Sequence, residues 1–210
     1  MLSEPHTDID AKERVLIAGE NREEKALLFR AIGGLWPWGS GRITHPARST
    51  IMFMPVRAYI PPGSLREIVA YPDPTDSFDH AAIVNALAGV GLEHLEPHLD
   101  KVDRWDRELT DDEKQRLAFA RVVLQRPGWV VVNDALDVLD PTSRERIRML
   151  FSNELAEIGI INIGHDQQES GFYLRKLHLV MDSGGQKFEP EREQPMAEPS
   201  KSNVESLPAE

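Results

Sequence analysis

Cysteine is absent from the 210 residues, which excludes disulfides, thiolate metal sites and cysteine nucleophiles and fits a reducing compartment. Long apolar runs are absent as well. No stretch reaches the roughly 18 consecutive apolar residues of a membrane span, and the polar, acidic start MLSEPHTDID is no signal peptide. Basic residues are outnumbered, 24 against 35 acidic, for a formal charge of −11, and they are scattered rather than gathered into a stripe that would hold nucleic acid. The expectation is a cytoplasmic chain with no nucleic-acid partner and no direct membrane insertion, able to lie at the inner face of a membrane only by docking onto a membrane protein. What is present, 40% apolar residues over this length, suffices for one domain with a true core.

Short apolar runs with the length and β-branched content of buried strands occur at Arg14–Ala18, Thr50–Met54, Trp129–Asn133, Gly159–Ile163 and Leu177–Met181. Helical spacing of apolar residues separates most of them, at Lys25–Ile32, Asp79–Leu87, Asp111–Gln125 and Ser143–Glu157. Alternation of this kind predicts an α/β fold with a parallel sheet and crossover helices. Residues 1–13 read as an N-terminal extension and 14–185 as the folded domain. Within it, about 57–107 is rich in proline and short helices and lacks convincing strands, so it reads as a helical subdomain. Residues 186–210 are rich in proline and glutamate and read as a disordered tail.

The segment RVLIAGENREEKALLFR (Arg14–Arg30) runs from a strand into Gly19 and reaches Lys25 six residues later, the spacing of the phosphate-binding pattern G-x-x-x-x-G-K-[ST]. That pattern needs its second glycine so that backbone N–H groups can wrap phosphate, and its hydroxyl to hold Mg²⁺. Glu24 and Ala26 stand at those two positions. One glycine and one lysine at this spacing also fit an ordinary strand-turn-helix, so the remaining segments decide.

Those segments are MFMPVRAYIPPGSLREIVAYP (Met52–Pro72), ELTDDEKQRLAFARVVLQRPGWVVVNDALDVLD (Glu108–Asp140) and INIGHD (Ile161–Asp166). In order they resemble the Q-loop, the signature with Walker B and D-loop, and the H-loop of an ABC transporter ATPase domain. The stretch Trp36–Gly41 is similar to the one after the first helix in peroxisomal fatty-acyl half transporters and their bacterial fused permease-ATPase relatives. The resemblance covers about Arg14–Asp182. It implies a P-loop NTPase-like parallel-sheet core with a helical subdomain. In that family two antiparallel strands usually precede the phosphate loop and carry an aromatic that stacks on adenine; with about thirteen residues ahead of Arg14, none aromatic, those strands are expected to be truncated and the adenine platform absent.

The departures from the family pattern carry the functional reading. At the signature, where L-S-x-G-[EQ]-Q offers serine and glycine N–H groups to the γ-phosphate, the chain has Leu109, Thr110, Asp111, Asp112, Glu113 and Lys114. Thr110 and Glu113 form a capping box, and Asp111 and Asp112 sit in the first turn, so the helix's own carboxylates meet the donors and the dipole. The loop at Gly19 repeats the substitution, with Asn21 as cap and Glu23 and Glu24 in the first turn. Walker B ends in Asn133 and Asp134: the neutral Asn133 and the methyl of Ala26 remove both protein contacts to magnesium, and Asp134 is one methylene shorter than the family's glutamate. The Q-loop glutamine position is Val56.

Lys25, His165 and Asp140 survive. Lys25 reads either as a phosphate partner or as a helix-surface partner of its acidic neighbours, and the second reading is favoured. His165 is the positional counterpart of the H-loop histidine, and Asp140 matches the D-loop and doubles as a helix cap. The tryptophans Trp36, Trp38, Trp105 and Trp129 are expected in the core and subdomain packing.

A carboxylate about 4 Å from phosphate costs around 4 kcal/mol at an effective dielectric near 20, roughly three orders of magnitude in affinity. No cofactor is therefore expected, and any binding of ATP with magnesium should be weak. The resemblance then implies a non-hydrolytic pseudo-ATPase whose partner is a transporter permease or a competent ABC ATPase subunit. The alternatives are an ATP-hydrolysing transport subunit and a remnant of a split transporter gene.

Overall fold

The computed structural model describes residues 7–38, 41–47, 50–165, 171–182 and 185–191. Strands β1 (Arg14–Ala18), β2 (Ile51–Met54), β5 (Trp129–Asn133), β6 (Gly159–Gly164), β7 (Arg175–Asp182) and β8 (Gly185–Glu191) form one six-stranded sheet in the order β2-β5-β6-β1-β7-β8. All neighbours pair in parallel except β7 and β8. Because parallel strands are covered on both faces, the central strands read as near-continuous apolar runs, as VVV in β5 does.

Helix α1 (Arg22–Ile32) lies on one face, where Leu28, Phe29 and Ile32 pack on Val15, Ile17, Val131, Ile163 and Leu177. The other face carries the larger core. There Val130, Val132 and Ile160 meet Leu117 and Phe119 of α5 (Asp111–Gln125) and Ile147 and Phe151 of α6 (Pro141–Ser152). The same core continues into the helical subdomain through Leu65, Ile68 and Val69 of α2 (Leu65–Ala70) and Ile83, Ala86 and Leu87 of α3 (His80–Gly89). A two-stranded antiparallel ladder, β3 (Gly63–Ser64) with β4 (Val102–Asp103), closes the base of that subdomain ahead of the short α4 (Trp105–Glu108). The pairs are too short for a periodicity to register in sequence.

Three expectations change. The first part of the stretch read as a tail from residue 186 is a strand, because Gly185–Glu191 pairs along β7 from Asp182↔Gly185 to Lys176↔Glu191. Backbone bonding along a sheet edge supplies what the polar side chains of that stretch do not. Residues 192–210 lie outside the described residues. Trp38 is 70% exposed and meets Trp36 edge-on at 4.7 Å, so it is not a core residue, whereas Trp105 is buried under the subdomain. The end of the extension read as 1–13 is also packed: Ile9 rests on the α1-side core and the Asp8 carbonyl accepts from Arg175 at 2.6 Å. Among the described residues no strand precedes β1.

Candidate functional site at the strand ends

β5, β6 and β1 are neighbours in the sheet, so Asn133 and Asp134, Gly164 and His165, and Gly19 emerge side by side at their carboxyl ends, where open α/β sheets bind ligands. The Gly19 N–H donates to the Gly164 carbonyl at 3.1 Å. A Cβ on Gly19 would lie 3.2 Å from Leu179 Cβ and 3.3 Å from Lys25 Cγ, so the glycine lets β1 turn beneath the lysine stem.

Only Gly19, Glu20 and Asn21 connect β1 to α1, because the helix is already wound at Arg22. Asn21 caps it, its side chain accepting from Glu23 N at 2.8 Å, and Lys25 N donates to Asn21 O at 3.2 Å. These N–H groups are spent on the helix and do not form an open cradle. Glu24, 7% exposed, takes a long contact from Asn21 Nδ2 at 3.4 Å, and Ala26 follows Lys25 in the same helical turn.

Lys25 is not on the helix surface. Its side chain is wholly buried, and its ammonium donates to Asp134 Oδ1 at 2.7 Å. The same Nζ lies 3.2 Å from Nδ1 and 3.3 Å from Nε2 of His165. Sequence separation hid this pairing, since the partner stands 109 positions away at the end of another strand. Asp134 takes a left-handed backbone (φ 49°), one of the few non-glycine residues that tolerate it, and its N–H donates to Ile163 O at 2.9 Å. That turn aims the carboxylate at Lys25. Asn133 is buried with no donor reaching its Oδ1, and alternation along β5 puts it with Val131 on the face that α1 covers.

Asp137, which the sequence reading missed, completes the group: its Oδ2 is 3.0 Å from His165 Nδ1, and the same nitrogen is 3.5 Å from Asp134 Oδ1. The available signal was a second acid three residues after Asp134 in NDALD. Asp134, Asp137 and His165 offer one oxygen or nitrogen each within 4.8 Å of one another.

The signature segment folds as its capping box requires. Thr110 Oγ1 accepts from Glu113 N at 3.2 Å while Glu113 Oε2 accepts from Thr110 N at 2.9 Å. Burial alone would raise the Glu113 carboxyl, but the Thr110 hydrogen bonds and His94 hold it below the ordinary carboxylate value. Asp112 is bound to Arg116 at 2.7 Å and accepts from Asp140 N at 3.1 Å, tying the start of α5 to the start of α6. Asp140 caps α6 through Thr142 N and Ser143 N, and these bonds keep its carboxyl below the usual range. Thr110 and Asp112 therefore stabilise helix termini. Among the described residues no hydrogen bond or ion pair joins them or Val56 to the Lys25 group. Val56 instead lines a cleft of about 470 Å³ with Arg57, Tyr59, Lys114, Gln115 and Val138.

A parallel sheet with a truncated phosphate loop, a buried lysine at its helix start and an acid and histidine at the adjoining strand ends defines a P-loop NTPase-like domain. The chain is a homologue of ABC transporter ATP-binding proteins and has the ABC ATPase fold. It is 34% identical over 170 residues to an uncharacterized ABC transporter ATP-binding protein of Haemophilus influenzae, covering 81% of this chain and 28% of that protein. It is 32% identical over 186 residues to human ATP-binding cassette sub-family D member 3, covering 85% and 28%.

The fold matches a bacterial Atm1-family ABC exporter with ATP bound at a TM-score of 0.69 and 20% identity, over 80% of this chain and 32% of the exporter. It matches CbiO1 of Clostridium perfringens, part of the ABC transporter complex CbiONQ, at 0.61 and 22%, over 82% and 75%. No protein-family model matches the chain. The chain spans less than a third of the length of these curated relatives. Among the described residues no helix is long and apolar enough to cross a membrane.

Proposed function

We propose that the chain is a transporter-associated module of ABC ATPase fold that does not hydrolyse ATP and acts through a partner, a permease or a competent ABC ATPase subunit, at the cytoplasmic face of the membrane. One observation carries this reading: the wholly buried ammonium of Lys25 is neutralised by Asp134 at 2.7 Å, so the two charged groups left from the phosphate and water machinery hold each other. Ala26 and Asn133 supply neither the hydroxyl nor the carboxylate that magnesium requires, and Glu24 sets a carboxylate beside the phosphate position. This residue set does not suit a magnesium–nucleotide complex.

A second reading, an ATP-hydrolysing transport subunit, is favoured by the convergence of Gly19, Lys25, Asp134 and His165 at adjacent strand ends. Magnesium-dependent phosphate release separates the two. The first expects turnover no higher than that of Lys25→Ala, and turnover above that control establishes the second.

A further inference from the structure

The turn that ends α1 aims an apolar side chain at solvent. Gly34 takes a left-handed backbone (φ 68°), its N–H donates to Ala31 O at 3.0 Å, and Leu35 N–H donates to Arg30 O at 2.8 Å. That bonding is a Schellman turn, in which the residue after the left-handed glycine commonly packs on an apolar side chain of the last helical turn. Leu35 has the polar Arg30 across the turn instead and stands 72% exposed, although its backbone is held. Farther along the same connection to β2, Trp38 is 70% exposed and Ile43 is 51% exposed. One exposed apolar residue is ordinary, but three on one connection, a tryptophan among them, mark a contact surface.

The charge of this connection identifies what it contacts. Between Glu24 and Glu67 the sequence has no acidic residue, so all 35 lie outside that span, while Arg30, Arg42, Arg48 and Arg57 lie within it. Arg30 and Arg42 are exposed, and among the described residues neither guanidinium is in a hydrogen bond or an ion pair. A partner with negative charge over an apolar layer matches both features. We infer that Leu35, Trp38 and Ile43, flanked by Arg30 and Arg42, form a contact surface for an anionic phospholipid bilayer. The apolar side chains enter the headgroup boundary, which tryptophan favours, and the arginines meet lipid phosphates. The formal charge of −11 resides outside this span, and beyond about 8 Å it is screened at physiological salt.

Two other occupants fit less well. Single-stranded nucleic acid would stack on Trp38 but gain nothing from the aliphatic Leu35 and Ile43. A protein partner needs a fixed complementary surface, whereas a bilayer accepts projecting side chains of any relief. The lipid contact needs neither the proposed transporter partner nor nucleotide, so either reading can fail without the other.

Flotation of the purified full chain with vesicles of phosphatidylcholine containing about one-third phosphatidylglycerol tests this. Wild type is expected to float with them, and to bind vesicles of phosphatidylcholine alone at least about 10-fold more weakly. Trp38→Ala with Ile43→Ser should weaken binding to the anionic vesicles at least about 10-fold, and Arg42→Glu at least about 5-fold. These positions are exposed, so the variants should stay folded by circular dichroism; Leu35→Ser with Ile43→Ser replaces the first should it unfold. Met149→Ser, at a side chain 59% exposed on α6, should bind as wild type does.

Absence of wild type from the floated anionic vesicles overturns the surface, whether or not the chain binds a single-stranded oligonucleotide. Equal binding to the two kinds of vesicle overturns it too, because the arginines then contribute nothing. So does binding that the Trp38, Ile43 and Arg42 changes leave intact, or that Met149→Ser weakens as much as they do.

Discussion

Lys25 and Asp134 form an ion pair of 2.7 Å between the start of α1 and the end of β5, with the lysine side chain 0% exposed and the carboxylate 9%. An ammonium at this depth is tolerated only because the carboxylate and the His165 ring face it. Asp134→Ala should therefore cost on the order of 3–5 kcal/mol, the range seen when one member of a buried pair is removed. The double change Lys25→Met with Asp134→Leu should cost much less, since no charge is left unpaired. Urea unfolding of the two variants checks this. A loss below about 1 kcal/mol for Asp134→Ala would mean that the ammonium reaches water or is held by His165 alone.

Glu24→Gly with Ala26→Thr restores the glycine and hydroxyl of the phosphate-loop pattern. Because α1 is wound from Arg22, the glycine also loosens its first turn, at a cost of about 1 kcal/mol. Removal of the Glu24 carboxylate from the start of α1 should raise ATP affinity about 10-fold or more, read by calorimetric titration. No gain would identify the Asp134 hold on Lys25, rather than Glu24, as what keeps phosphate out.

The fold was legible in sequence because buried parallel strands are near-continuous apolar runs and packed helices repeat apolar residues at three- and four-residue spacing: β1, β5 and α5 begin and end where their patterns place them. The caps at Asn21, Thr110 and Asp140 were legible for a local reason, since each bonds within three residues of itself. Lys25 was misplaced because charge neighbours along a helix are visible in sequence and a partner 109 residues away is not. Strand β8 escaped for the converse reason, its pairing being a backbone property that KFEPE does not advertise. Asp137 needed the fold to bring the β5–α6 turn against the end of β6.

Tyr173 gives a pH dependence with a definite sign. Its hydroxyl accepts from Asn162 Nδ2 at 2.6 Å, and burial pushes the phenol up from 10.0 to about 12. A folded value above the unfolded one contributes stability that is fully present below about pH 10. It is lost as pH rises toward 12, because only the unfolded chain releases the proton. The loss reaches about 1.4 kcal/mol near pH ~11. Arg121, pulled down to about 10 by burial, acts in the opposite sense over the same range, so wild type alone masks the effect. The stability difference between wild type and Tyr173→Phe, measured by urea at about pH 9 and again at about pH 11, should shift against wild type by roughly that amount. A pH-independent difference would show that the phenol reaches solvent in the folded chain.

The cleft at the Q-loop position carries the partner reading to a residue. Arg57 lines it beside Val56, Tyr59 and Lys114, and Tyr59 is an exposed aromatic packed edge-on against Tyr71 at 5.5 Å. Arg66 is committed elsewhere: its guanidinium is held by Asp100 at 2.7 Å, which raises its pKa, and it faces His80. A partner segment seated in the cleft should therefore respond to Arg57→Glu and much less to Arg66→Glu, although both reverse one charge. Co-purification with a permease encoded beside this chain should fall at least about 10-fold for Arg57→Glu, as when a charged contact at an interface is reversed. Equal retention of the partner by both variants would remove the cleft from the interface, and a chain recovered from membranes with no partner would remove the partner reading itself.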